Sequence, residues 1–173
     1  EPLPNLCENL KTKYGHLESV SIYELALSDV KGVSSFNYVV TNPGYSGLIK
    51  RRYDRPNEED TKIEVKTDLM DTLIPRVTID LIKIDVEGAE LQVLRGAKGI
   101  IKRDKPFIIF EDGLGAADFY GTTPEELYSL LHDCCDLDIT LLDRYLRGQP
   151  SLLKNEFCEQ FYKGMNYYFL AYK

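Results

Sequence analysis

The chain has 173 residues, 43% of them hydrophobic and 28% charged, enough for one domain with a real core. Its net charge of −7 argues against a nucleic-acid backbone as partner, which requires clustered Lys and Arg. No apolar run approaches the roughly 18 residues that span a bilayer, and the opening Glu1-Pro2-Leu3-Pro4 does not read as a secretory leader, so a cytoplasmic protein without a membrane partner is expected.

Pro4 suits a first helical turn, and Leu6, Cys7 and Leu10 share a face. A helix over Asn5 to Tyr14, stopped by Gly15, is predicted. Val20 to Leu27 reads as a strand, Asp29 to Gly32 as a turn, and Ser35 to Val40 as a second strand. Asn42-Pro43-Gly44 with Ser46-Gly47 forms a flexible loop in which Tyr45 and Ser46 can approach a ligand. Lys50-Arg51-Arg52 with Arg55 faces the acidic run Glu58-Glu59-Asp60 and reads as a solvated loop. Lys62 to Thr67 alternates as a half-buried strand, and Asp68 to Ile74 as a helical turn before Pro75.

Ile79 to Asp85 is a strand that runs into the carboxylate pair Asp85 and Glu87. Gly88 then lets the chain turn into a helix that buries Ala89, Val93, Ala97 and Ile100. Pro106 opens the apolar strand Phe107 to Phe110, which ends at Glu111-Asp112 and suits a parallel strand covered on both faces. Thr123-Pro124-Glu125-Glu126 is a capping box that opens a helix with Leu127, Leu130, Leu131 and Cys134 on one face. Leu137 to Leu142 reads as a strand, Leu152 to Tyr162 is ambiguous, and Asn166 to Tyr172 is an aromatic-rich strand whose rings suit core packing. Strands alternate with helices, so the class is α/β with a largely parallel sheet.

In open α/β sheets ligands lie outside the carboxyl ends of the strands. Asp85 and Glu87 end one strand there and Glu111 ends another, which makes the three candidate catalytic carboxylates. Each also has a structural reading: Asp85 as a helix N-cap, Glu87 as an anion at the positive helix end, Glu111 as a loop cap. Glu90 reads as solvent-facing or paired with a basic neighbour. Cys7, Cys134, Cys135 and Cys158 lack zinc-ligand spacing and read as reduced, small hydrophobes, and His16 and His132 as surface or packing residues, so no metal site is expected.

The run Ile82-Lys83-Ile84-Asp85-Val86-Glu87-Gly88-Ala89-Glu90, followed by Val93-Leu94-Arg95-Gly96-Ala97, resembles the signature of the FkbM-type S-adenosylmethionine-dependent methyltransferases. Glu1-Pro2, Ala26-Leu27-Ser28-Asp29 with Gly32, and Phe110-Glu111 resemble further segments of that family, in the same order. The resemblance implies a single domain over 1–173 with a Rossmann-like class I methyltransferase sheet, mostly parallel with the last strand antiparallel. The family order is 3-2-1-4-5-7-6, with ligands outside the strand ends. It implies S-adenosylmethionine as cofactor and a small-molecule or carbohydrate hydroxyl as acceptor. Glu1 would bind the ribose hydroxyls, Ala26, Leu27 and Ser28 would border the adenine, and Asp85 would face the methionine end. The family's glycine-rich loop and first two strands have no counterpart, so the sheet is expected to be N-terminally incomplete. A missing segment, a partner chain, or a changed pairing would complete it. Two other functions fit the residues: a metal-dependent nucleotide-sugar glycosyltransferase using the Asp85-Val86-Glu87 triplet, and a catalytically silent binding module.

Overall fold

The computed structural model describes residues 1–74, 76 and 78–173. Helix α1 spans Pro4–Tyr14 with proline in its first turn, and Gly15 closes it by donating its N–H to the Lys11 carbonyl. Strand β1 is only Ala26–Leu27. The strand expected from Val20 forms no ladder before Ala26, and Val20 and Tyr23 stand exposed, so alternation there has no sheet to serve. Strands β2 (Gly32–Val39) and β3 (Asp60–Asp68) form a long antiparallel ribbon, in register from Gly32 opposite Thr67 to Val39 opposite Asp60. Strand β1 joins the other side of β3 in parallel. Leu3, Phe36 and Val65 form the small core beneath this ribbon. Helix α2 is the expected turn, Met70–Leu73; Pro75, read as its stop, lies outside the described residues.

The second sheet has the order β4-β5-β7-β6, with β4 at Leu81–Ile84, β5 at Phe107–Glu111, β6 at Asp138–Thr140 and β7 at Tyr168–Tyr172. Strand β4 is parallel to β5, and β7 runs antiparallel to both β5 and β6. That order and that reversal are those expected for this half. The single, mostly parallel sheet is not what forms. The chain is a mixed α/β fold with two sheets, and three of its five strand pairings among the described residues are antiparallel. No described pairing carries the ladder from β1 to β4, and two residues of β1 are too few to do so.

The helix expected after β4 is two short ones, α3 (Glu90–Gly96) and α4 (Lys98–Asp104), interrupted at Ala97. Ala97 is fully buried, so the break keeps the predicted apolar stripe against the sheet. Helix α5 (Pro124–Tyr128) starts at the expected cap, where the Thr123 hydroxyl accepts the Glu126 N–H. It widens into π-helical turns over Ser129–Cys134. A wider turn delays the buried face by one residue, so Cys135 is buried and Cys134, expected on that face, is exposed. Leu137 to Leu142 is shortened: its last residue begins helix α6 (Leu142–Leu146). The ambiguous stretch is helix α7 (Lys154–Tyr162). Ile84, Leu94, Ile108, Phe110, Leu131 and Phe169 lie in the main core between this sheet and its helices. Among the described residues no helix is long and apolar enough to cross a membrane.

Candidate functional site

The turn after β4 sets the site. Glu87 takes a left-handed conformation, φ 60°, and Gly88 follows at φ 108°. A Cβ on Gly88 would meet the Ala116 carbonyl oxygen at 2.6 Å, so only glycine fits. The turn places Asp85 and Glu87 on the wall of a cavity of about 520 Å³, which Glu1, Ala26 and Leu27 also line. Leu3, Leu6, Phe36 and Leu48 give it apolar walls, and Ser46 lines it too, its hydroxyl accepting the Val39 N–H at 3.0 Å. Five of the seven residues singled out in the sequence therefore meet at one place. Glu1 is fixed there by its carboxylate, which accepts the Leu3 N–H at 2.8 Å.

The other two lie elsewhere. Ser28 does not line the cavity: it is buried, and its carbonyl sits where a Cβ on Gly96 would be 2.1 Å away. Glu111 lines a second cavity of about 350 Å³ beyond the same turn, with Gly88, Glu90, Asp112 and Tyr167. It still acts at the first cavity through space, since its charge adds to the forces that raise Glu87.

Asp85 is not a helix cap. The N-cap of α3 is Ala89, with no side-chain cap, and the Asp85 carboxylate instead pairs with Lys83 at 2.7 Å. Glu87 pairs with Arg51 at 2.5 Å, and the Arg51 side chain is only 13% exposed. Arg51 also lies over the Tyr45 ring, 4.6 Å from its centroid, so this part of the basic loop is docked rather than solvated. Burial pushes the Glu87 carboxyl up to about 7, with Arg51 opposing and Glu111 and Asp85 adding to the rise. Burial likewise raises Glu111, and the Asp85 charge adds to it. The two carboxylates of the Asp85-Val86-Glu87 triplet are held by different cations. Among the described residues no group of three or more His, Cys, Asp or Glu could hold a metal ion.

Three residues escaped the sequence reading. Glu90, read as solvent-facing, is 2% exposed, and its carboxylate accepts the Val86 N–H at 3.0 Å. Burial pushes it up to about 7. Asp112 is 1% exposed, with both carboxylate oxygens shut from water and unpartnered, and is also pushed up to about 7 by burial and by Glu90. Tyr120 accepts the Ile49 N–H at 2.9 Å, which fastens the basic loop's approach to the site, and burial pushes its hydroxyl up to about 12. The doublet Glu111-Asp112 at a strand tip was a visible signal for Asp112; the side-chain contacts of Glu90 and Tyr120 depend on folded neighbours.

The family model for the methyltransferase FkbM domain matches residues 1–136. Among solved structures, the chain is similar to methyltransferase FkbM from Methylobacillus flagellatus KT, with 14% identity and a TM-score of 0.50, over 97% of this chain and 32% of that one. That likeness shows the fold, and the chain spans about a third of the length of that neighbour. No curated protein matches the chain.

Proposed function

The chain belongs to the FkbM methyltransferase family, and from that premise we propose that it carries a methyl group from S-adenosylmethionine to a hydroxyl of a small-molecule or sugar acceptor. The observation that supports this most is the meeting of Glu1, Ala26, Leu27, Asp85 and Glu87 around one cavity. Its volume falls in the range of about 300–1,000 Å³ usual for small-molecule sites. The lining also fits the cofactor: Leu3, Leu6, Leu27 and Phe36 offer apolar surface to a flat base, and carboxylates offer acceptors to hydroxyl and ammonium groups.

When bound, the cofactor supplies an electrophilic methyl group on a sulfonium centre. The protein's part is position, charge and the fate of one proton. Glu1 has one oxygen held by the Leu3 N–H, and its carboxylate would accept from the ribose hydroxyls. Asp85, at the tip of β4, would accept from the cofactor's ammonium. Glu87 is the base. Arg51 orients it at 2.5 Å, and a carboxyl pushed up to about 7 takes a hydroxyl proton near neutral pH better than an ordinary glutamate. Glu111, on the next strand tip, helps keep that proton affinity high.

Titration calorimetry of the full-length natural protein with S-adenosylmethionine tests the reading. Saturable binding that weakens at least about tenfold in Leu27→Glu, where a charge enters the apolar wall, is expected. A flat titration overturns it.

A further inference from the structure

The proposed methyl transfer gives Tyr120 no task, and Tyr120 lines neither cavity. It ends a short 3-10 turn, Ala117–Tyr120, which Gly121 closes in a left-handed conformation by donating its N–H to the Asp118 carbonyl at 3.1 Å. That turn aims a half-buried ring and its hydroxyl at two pieces of chain far away in sequence. The ring edge lies against Gly88, where a Cβ would be 2.9 Å from Cδ2. The hydroxyl lies against Gly47, where a Cβ would be 2.8 Å away, and it accepts the Ile49 N–H at 2.9 Å. Two glycines thus leave room for one tyrosine.

Those two pieces of chain carry the base and its cation. Gly88 follows Glu87 directly, and Arg51 lies just beyond Ile49. Arg51 meets Glu87 at 2.5 Å through Nη2. Its Nε is buried without a hydrogen-bond partner among the described residues, so the Nε–Nη2 fork that would lock the guanidinium on a carboxylate is not formed. The Tyr45 ring beside it gives attraction but little direction. The position of Arg51 therefore depends on how its loop is fastened. At Gly47 the loop is tied to Asn37 of β2, and at Ile49 it is tied to Tyr120.

We propose that Tyr120 is a positioning residue that keeps Arg51 against Glu87 by clamping the loop of one to the turn of the other. Its bearing on a base rests on the methyl-transfer reading; the clamp does not. The charged groups that act on Glu87 are Arg51, Asp54, Asp85, Glu90 and Glu111, and the raised Tyr120 and Tyr168 hydroxyls stay neutral through its titration. Arg51 holds the Glu87 carboxyl down, while burial and the carboxylates push it up. Loosening the clamp weakens the downward force.

The test follows the Glu87 carboxyl carbon by NMR through a pH titration of the full chain, with no cofactor or acceptor present. Tyr120→Phe keeps the ring and removes the acceptor of the Ile49 N–H. The Glu87 midpoint, about 7 in the unaltered chain, should rise in Tyr120→Phe, and by less than in Arg51→Leu. Adding Tyr120→Phe to Arg51→Leu should move it no further. A residue that merely supports the fold would lower stability and leave the midpoint in place. An unmoved midpoint, a fall, or an equal rise in the Arg51→Leu background overturns the proposal. In the unaltered chain the Ile49 amide should exchange with solvent at least about tenfold more slowly than in an unfolded chain. Unprotected exchange overturns the proposal too, whether or not the variant folds. Loss of S-adenosylmethionine binding strikes the methyl-transfer reading alone, and an unmoved midpoint strikes this proposal alone.

Discussion

Glu87 combines a left-handed backbone, a paired guanidinium and a proton affinity near neutrality. Such backbone strain in a residue other than glycine persists where the surroundings over-determine it. Here the Gly88 contact and the Arg51 pair do so. As a base it must be ionised, so kcat/KM should rise with pH and level off above about 7. Glu87→Gln should lower kcat by about 10²–10⁴-fold with a smaller change in KM. Arg51 opposes the rise of Glu87, so Arg51→Leu should move the midpoint of that profile upward. A profile whose midpoint stays in place in Arg51→Leu would separate the proton transfer from Glu87. At this scale the sequence was informative where residue type and turn chemistry coincide, as at Asp85-Val86-Glu87-Gly88. It was misleading at Arg51 and Glu90, because whether a charged side chain is solvated or docked depends on partners distant in the chain.

Helix α3 packs near strand β1, and its Gly96 lies against Ser28, the residue that follows that strand. A methyl group there would fall 2.1 Å from the Ser28 carbonyl oxygen. Gly96→Ala should therefore push β1 away from α3. A loss of about 1–3 kcal/mol in urea-unfolding stability is expected, the scale of an overpacked core. Because Ala26 and Leu27 of that strand line the first cavity, cofactor affinity should fall with it. Unchanged stability would mean the contact is not held in solution. Elements whose signals are local were legible: the Pro4 and Thr123 helix starts, the Phe107 to Phe110 strand and the Gly88 turn. Those that depend on pairing were not. Val20 to Glu24 carries a strand-like pattern but joins no ladder, and the shift from Cys134 to Cys135 follows from π-helical turns that no local residue type announces.

For the molecule as a whole, three buried carboxyls set an unusual pH response. Glu87, Glu90 and Asp112 keep their protons up to about 7 when folded, against ordinary values of 4.5, 4.5 and 3.8 for the free groups. Between pH 4.5 and 7 the folded state then holds more protons than the unfolded one, so stability falls as pH rises through that window. Asp68 works in the opposite sense, lowered to about 2, and its contribution is already complete above the ordinary carboxylate range. Urea unfolding should show the chain less stable at pH 8 than at about pH 5.5. Equal stability at the two values would mean these groups are hydrated in solution. The chain order of the second sheet was foreseeable from the family resemblance, whereas the division into two sheets depends on which edges meet. The contact between Gly88 and the Ala116 carbonyl has a mechanical result. The loops that follow two neighbouring strands mesh there like gears, so reshaping one chamber should disturb the other. An engineer who widens one to admit a bulkier guest should expect the other to change its grip as well.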